Sequence, residues 1–434
     1  MSPNDAGRLP TRRRGPARAG LAAGLAAALA LSGCGFVNTD DDEDDATKLT
    51  TYTSPEQNTG LEQLYAAYQE REGVTFDASH AAAEELNQQL RVQLTSGTAP
   101  DVIRVSPGYS SPVSAGVLGE ADELADLSDS AWVDQLDEST VALAGDGERT
   151  VAYPVGRNAI VAAYNRDVFD ELSLEVPTTW TELLAVCEEL EEAGRTPIAA
   201  GLAGGIYLQF FVYALAGTLV HAEQPDLDER MRAGETSFAE EAAWTEVFEK
   251  LERLGAYFTP DALGVPADQA QQSLARGEAG MTLLVSAGLP QLFDYAPEGA
   301  DAFEVFALPA NDDPESTVLP TAPDFLAVNA ASPRVDEARG FLDFLAEPEN
   351  VQSYADALGV LPGLGETARA ADSPLAPVLP LVDGGRTAPY ANYLWPNGDT
   401  QQTLLQSGQQ LLAGEIDIPT LLGQLDEQYA KGTR

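Results

Sequence analysis

The stretch from Leu49 to Val105 alternates strand-like and helix-like patterns, and this restricts the fold more than any other feature of the chain. Leu49-Thr50-Thr51-Tyr52-Thr53 is rich in residues that suit a pleated surface. A polar turn from Ser54 to Gly60 leads into a helix, with Leu61, Leu64, Tyr65 and Tyr68 at three- and four-residue spacing. Val74 to Ala78 reads as a second strand. Ala81 to Thr95 reads as a second helix, with Leu86, Leu90 and Leu94 in line. Gly97 to Asp101 ends it and leads into the strand Val102-Ile103-Arg104-Val105. Strands joined through helices in this way imply a parallel sheet covered by helices, an α/β architecture. Ligands of such sheets sit beyond the carboxyl ends of the strands. Two loops fall there: Thr53 to Asn58, and Ser106 to Ser111 with Tyr109.

Further on, Trp132 to Leu143 is helix-like, and Thr150 to Asn165 holds two apolar strands broken by Pro154 and Gly156. A new α/β alternation follows, so this stretch reads as a crossover between two lobes. Thr178-Thr179-Trp180-Thr181-Glu182 opens a helix with capping residues and acid in its first turn. Thr196 to Ala199 is strand-like, and a glycine-rich turn leads to the helix Tyr207 to Gly217. Trp132, Trp180 and Trp244 lie within or at the start of helical patterns and read as packing residues. Cys187 sits beside Leu183, Leu184 and Leu190 and reads as core. His80 and His221 are far apart, with no zinc spacing around either. No GxxxxGK[ST] or GxSxG motif occurs, so the sequence suggests no catalytic residue, metal or cofactor.

The first residues have a different character. Arg8, Arg12, Arg13, Arg14 and Arg18 precede an apolar run from Leu21 to Leu31. That run is shorter than the ~20 residues a bilayer-spanning helix needs. Leu31-Ser32-Gly33-Cys34 then reads as a lipobox. Residues 1–33 are therefore expected to be a lipoprotein signal, with Cys34 the lipidated residue and a membrane anchor. Residues 34–48 carry the acid block Asp40 to Asp45, which repels itself and reads as an extended tether. The whole chain has a formal net charge of −45, with lysines only at 48, 250 and 431. A surface of this kind argues against nucleic-acid partners, which require basic residues. It also argues against electrostatic docking on anionic lipid, leaving a covalent lipid as the means of attachment.

Several short stretches together resemble one family. They are Tyr153-Pro154-Val155-Gly156, Tyr164-Asn165-Arg166-Asp167-Val168-Phe169, Val176-Pro177-Thr178-Thr179-Trp180 and Ala193-Gly194-Arg195-Thr196-Pro197-Ile198. Gly277-Glu278-Ala279-Gly280-Met281, the run Ala338 to Gly363, and Gly408 to Lys431 continue the series. In this order, behind a lipobox, they resemble the extracellular solute-binding proteins of ABC importers, family 1, which bind sugars. The resemblance implies a two-lobed, periplasmic-binding-protein-like fold of type II with a hinged cleft. Lobe 1 would hold residues 49–154 and 309–345, and lobe 2 residues 157–306 and 346–434. Hinge crossings would lie near Pro154–Gly156, Phe306–Leu308 and Leu345–Glu347. The protein would be a monomer that captures a carbohydrate and passes it to the transmembrane subunits of a permease, without enzymatic activity.

Sugars present hydroxyls at their rims and C–H groups on their faces, so a sugar site needs stacking aromatics with amide, carboxylate or guanidinium partners. Carried over by motif, the candidate ligand residues are Ser54, Glu56, Tyr109, Asn158, Tyr207, Gln209, Asp324, Tyr393 and Trp395. Tyr393 and Trp395 belong to Tyr390-Ala391-Asn392-Tyr393-Leu394-Trp395-Pro396-Asn397-Gly398, whose composition reads as a loop exposing aromatics. Arg157 is a candidate carboxylate clamp or a surface ion-pair partner. One departure matters: Ala287 stands where the family commonly places a stacking Trp. Either another aromatic replaces it, the pocket is larger, or the solute is not a typical sugar. A polyol or cationic osmolyte remains the alternative solute, and an exported glycosidase the alternative class.

Overall fold

The structure, a computed structural model, describes residues 48–365 and 373–432. The expected signal, the Cys34 lipidation site and the acidic tether up to residue 47 lie outside the described residues. β1 (Lys48–Thr53), β2 (Thr75–His80) and β3 (Val102–Val105) pair in parallel in the order β2-β1-β3. The helices Pro55–Glu72 and Ala83–Ser96 make the crossovers that the alternation predicts. The first starts at a capping box. The Ser54 hydroxyl accepts from the Gln57 N–H, and the Gln57 side chain accepts from the Ser54 N–H. Two donors that a helix start leaves open are thereby satisfied. Thr179 and Glu182 form the same device at the helix Trp180–Glu192.

The remaining strands are β4 (Tyr153–Asn165), β5 (Thr196–Ile198), β6 (Ala279–Val285), β7 (Phe303–Phe306), β8 (Leu319–Val328), β9 (Leu361–Pro362) and β10 (Thr387–Pro389). Their order is β2-β1-β3-β8-β4-β6-β5, with β10 on β8 and with β7 and β9 on β4. β4 joins the two halves: Tyr153 to Ala159 pair with β8, and Ile160 to Asn165 with β6 and β7. β8 does the same, pairing with β10 at its start and with β3 at its end.

Helices cover both faces of each half. In the first lobe Leu49, Leu61, Val102, Leu326 and Phe341 share one core, while Leu86, Ile103, Leu118 and Phe325 share the one behind it. In the second, Ile160, Leu183, Val212, Trp244 and Leu283 form the larger core, and Val161, Leu274, Leu284 and Leu292 the smaller. Cys187 and Trp244 are buried in that larger core as the sequence suggests, and burial pushes the Cys187 thiol up to about 12. Trp132 is buried in the first lobe, and Trp180 carries the Lys250 ammonium 4.3 Å from its ring centroid. The stretch 132–143 is not one helix. A 3₁₀ turn, Val133–Gln135, is followed by the short helix Glu138–Leu143, capped by Asp137.

The packing divides the chain differently from the expected boundaries. Ala310, Leu319 and Ala322 lie in second-lobe cores, not the first. Val351, Tyr354, Val360 and Leu364 lie with Leu61 and Phe341 in the first, not the second. Crossings accordingly fall within β8 and at β9 rather than near 306–308 and 345–347. The physical reason is steric as well as hydrophobic. The Tyr354 ring fits against Gly60 and Gly156, where an added Cβ would come within 2.7 and 2.9 Å of it. Apolar periodicity marks a buried face but not the core that buries it. Among the described residues no helix is long and apolar enough to cross a membrane.

Candidate functional site

The strand crossing gathers polar side chains from both lobes. On β3, Arg104 pairs in register with Leu326 of β8, so Asp324, two residues along β8, shares its face of the sheet. On β4, Asn158 donates from Nδ2 to Asp324 Oδ2 at 3.2 Å. Ser286, in the turn that follows β6, accepts from the Ala159 N–H at 3.1 Å. Its hydroxyl also lies 3.5 Å from Asn158 Oδ1, a long hydrogen bond in which the hydroxyl donates. A polar chain thus runs from Ser286 through Asn158 to Asp324, spanning the point where β4 passes between lobes. Glu56, exposed in the first turn of Pro55–Glu72, adds a second carboxylate on the first-lobe side.

Burial raises the Asp324 carboxyl above the usual carboxylate range, and the charge of Glu56 adds to that. Arg104 and the hydrogen bond from Asn158 act in the opposite direction. A carboxylate so placed gains most from further donors, since each hydrogen bond to the ionised form stabilises it.

The aromatic part of the site comes from the segment after β10. Tyr390 and Tyr393 stack nearly parallel, their centroids 5.8 Å apart and planes 10° from parallel. Tyr393 is half-buried and packs against cores of both lobes. Gly108 allows its approach: with φ at +59°, an added Cβ would sit 2.1 Å from the Tyr393 carbonyl oxygen. Burial pushes the Tyr393 hydroxyl up to about 12, with Asp324 adding to the rise and Arg104 opposing it. Tyr390 lies behind it, 6% exposed, its hydroxyl without a partner in the protein.

Of the candidates read from the sequence, Glu56, Asn158, Asp324 and Tyr393 come together here. Ser54 lies at the edge as the helix cap, with its hydroxyl engaged by Gln57. Tyr109 is half-buried, and Arg232 of the second lobe lies within electrostatic reach of its hydroxyl. Its ring lies on Gly116, where a Cβ would be 2.6 Å away, and its hydroxyl hydrogen-bonds Glu120. Burial first, and then Glu120, push that hydroxyl up to about 12. Tyr207 packs edge-on to Phe210 at 5.2 Å and hydrogen-bonds Gln271, both in the second lobe.

Two candidates need correction. Gln209 is buried, and its Oε1 accepts from Gln401 at 2.6 Å and Tyr213 at 3.2 Å, so that oxygen serves an internal network. Trp395 is 0% exposed. It packs edge-on to Phe238 and Tyr213, with Trp244 beside them, and is a core residue instead of a ligand contact. The loop-like composition around it conceals a short helix, Ala391–Leu394, that turns the indole inward. Arg157 is also no free clamp. Its Nε donates to the Pro362 carbonyl at 3.0 Å and its Nη1 to Asp137 at 2.9 Å.

Arg104, Ser286 and Tyr390 escaped the sequence reading. Arg104 carried a signal, a lone charge in the apolar strand Val-Ile-Arg-Val. Ser286 stands next to Ala287, the departure from the family pattern; Ala287 itself is exposed. No group of three or more metal-ligating side chains occurs among the described residues.

Residues 52–352 match the family signature of the bacterial extracellular solute-binding proteins. The chain belongs to that family. It is a binding protein of the extracytoplasmic space, not an enzyme. Among its relatives is the melibiose/raffinose/stachyose-binding protein MelE of Bacillus subtilis, 22% identical over 416 residues, covering 93% of this chain and 94% of MelE. The multiple sugar-binding protein of Streptococcus mutans is 22% identical over 318 residues, covering 72% and 74% of the two chains. The solute-binding protein RafE in complex with raffinose superposes with a TM-score of 0.72 at 20% identity, over 89% of this chain and all of RafE. That superposition bears out the two-lobed fold of this solute-binding protein.

Proposed function

We propose that this solute-binding protein captures a carbohydrate, a mono- or oligosaccharide, at the strand crossing and delivers it to the transmembrane subunits of an ABC importer. The observation that carries the reading is the pairing, at one place, of a partly desolvated carboxylate with a half-exposed tyrosine. Asp324 accepts hydrogen bonds from sugar hydroxyls, and Tyr393, backed by Tyr390, offers a face to the C–H side of a ring. These tyrosines take the place of the Trp that is missing at Ala287. MelE, named for melibiose, raffinose and stachyose, and RafE, solved in complex with raffinose, support the same class. β4 and β8, which run through both lobes, act as the hinge, and bound sugar holds the lobes closed by touching both. The lipid on Cys34 keeps the monomer at the membrane.

The test is a titration of melibiose, raffinose and stachyose into the signal-free protein, read as a thermal shift. A ligand at 100 times its dissociation constant adds about 2.7 kcal/mol to stability. A shift with at least one of the three is expected, and silence from all of them would remove the carbohydrate reading. For the anchor, Cys34→Ser is expected to move the protein from the membrane to the soluble fraction. Retention on the membrane would overturn the lipid attachment.

A further inference from the structure

The sequence leaves two kinds of solute open, neutral sugars and cationic osmolytes, and the crossing contains a residue that separates them. Arg104 lies half-buried on β3. Among the described residues its guanidinium makes no hydrogen bond or ion pair, although it is near enough to stabilise charge on Asp324, Tyr393 and Tyr354. A guanidinium has five donors in a rigid plane, and partial burial without acceptors is unfavourable. Its neighbours show the same want of partners. β1 pairs with β3 through Tyr52 and Ile103, which sets the next residue, Thr53, alongside Arg104. Thr53 is fully buried, with its hydroxyl lacking a partner in the protein. Four residues on, Gln57 is 1% exposed, and its Nε2 also lacks one.

The chemistry of this edge suits a particular solute. Arg104 supplies a planar donor fork, which matches two adjacent oxygens. Asp324 supplies an acceptor on the same sheet face. One face thus donates and accepts at once, as a pair of ring hydroxyls does in reverse. The two nearby carboxylates, Asp324 and Glu56, disfavour an anion, while the unpaired guanidinium disfavours a cation at close range.

We propose that Arg104 is the specificity-determining residue of the site: its fork donates to two oxygens of a neutral sugar whose hydroxyls donate to Asp324, and its charge excludes quaternary ammonium solutes. The proposal rests on the carbohydrate reading and deepens it.

The experiment titrates melibiose, raffinose, stachyose and glycine betaine into wild type, Arg104→Ala and Arg104→Lys, with thermal unfolding of each protein alone. Wild type is expected to bind at least one sugar and not betaine. Arg104→Ala should weaken that sugar by about 30-fold, from loss of hydrogen bonds made by a charged group. Arg104→Lys should weaken it by about 10-fold, because the charge remains but the planar fork is lost. Arg104→Lys, which keeps the charge near Asp324, should leave the melting temperature of the sugar-free protein close to wild type, since the guanidinium makes no hydrogen bond or ion pair within the described residues. If Arg104→Ala does not fold, Arg104→Lys decides alone. Sugar affinity within twofold of wild type in the folded variants overturns the role of Arg104 and leaves the carbohydrate reading standing. Wild type that binds no sugar, or binds betaine more tightly, overturns both.

Discussion

Tyr393 and Trp395 stand two residues apart on one segment and belong to different parts of the molecule. Trp395 faces the aromatic core of the second lobe, with Phe238, Tyr213 and Trp244 around it and no exposed surface. Tyr393 is half-buried between the two lobes, stacked on Tyr390 and within electrostatic reach of Asp324. Both are large aromatics in a Pro-, Asn- and Gly-containing stretch. What separates them is the turn of the short helix between Tyr390 and Trp395. An aromatic residue thus takes its surroundings from the direction it faces, and two positions along the chain are enough to exchange the second-lobe core for the boundary between the lobes.

That contrast can be broken by substitution. Trp395→Ala should have the largest effect, a loss of about 3–5 kcal/mol of stability from the cavity left in a fully buried core. Urea unfolding measures it, and a loss below about 1 kcal/mol would mean that the indole is not a core element. Arg157→Ala should come next, at about 1–3 kcal/mol, since it takes a donor from the Pro362 carbonyl and an ion-pair partner from the partly exposed Asp137. Unchanged stability in the same assay would contradict the staple that these bonds describe. Tyr393→Ala should cost less stability than Trp395→Ala, because its ring is only half-buried against the two cores, while weakening sugar about tenfold through loss of the ring face. Equal affinity in calorimetry would take Tyr393 out of the site and erase the contrast with Trp395.

The smallest effect is a dependence on pH at Asp324. Burial holds its carboxyl protonated to higher pH in the folded chain than in the unfolded one. The sugar-free protein therefore has its full stability from this group below the ordinary carboxylate pKa and loses it as pH rises through the raised value. Sugar affinity should rise across the same window, because sugar hydroxyls donate to the ionised form. Asp324→Asn should flatten both profiles. Profiles identical to wild type in the variant would show that another group titrates.

The sequence made some of this visible, and physical reasons explain the rest. The alternation from Leu49 to Val105 showed the parallel β2-β1-β3 sheet because strand and helix periods differ and the turns between them are polar. The caps at Ser54 and Thr179 were legible because capping is a local chemistry. Asn158, Asp324, Glu56 and Tyr393 are candidates through the family resemblance alone, since their spacing in the chain says nothing about the nearness in space that the structure gives them. Arg104 went unnoticed because a lone charge in a strand also describes a solvated sheet face. The burial of Trp395 is not legible in the sequence, because loop-like composition does not say which way a side chain faces. The assignment of the helix Pro348–Leu358 to the first lobe was hidden too, since it depends on Tyr354 fitting the bare backbone at Gly60 and Gly156.

The most direct test is a crystal structure of the protein with the tightest-binding of the three sugars. The account predicts one sugar ring against the face of Tyr393, with its hydroxyls within hydrogen-bond distance of Asp324 and Arg104. A sugar held elsewhere, touching neither Tyr393 nor Asp324, would contradict it.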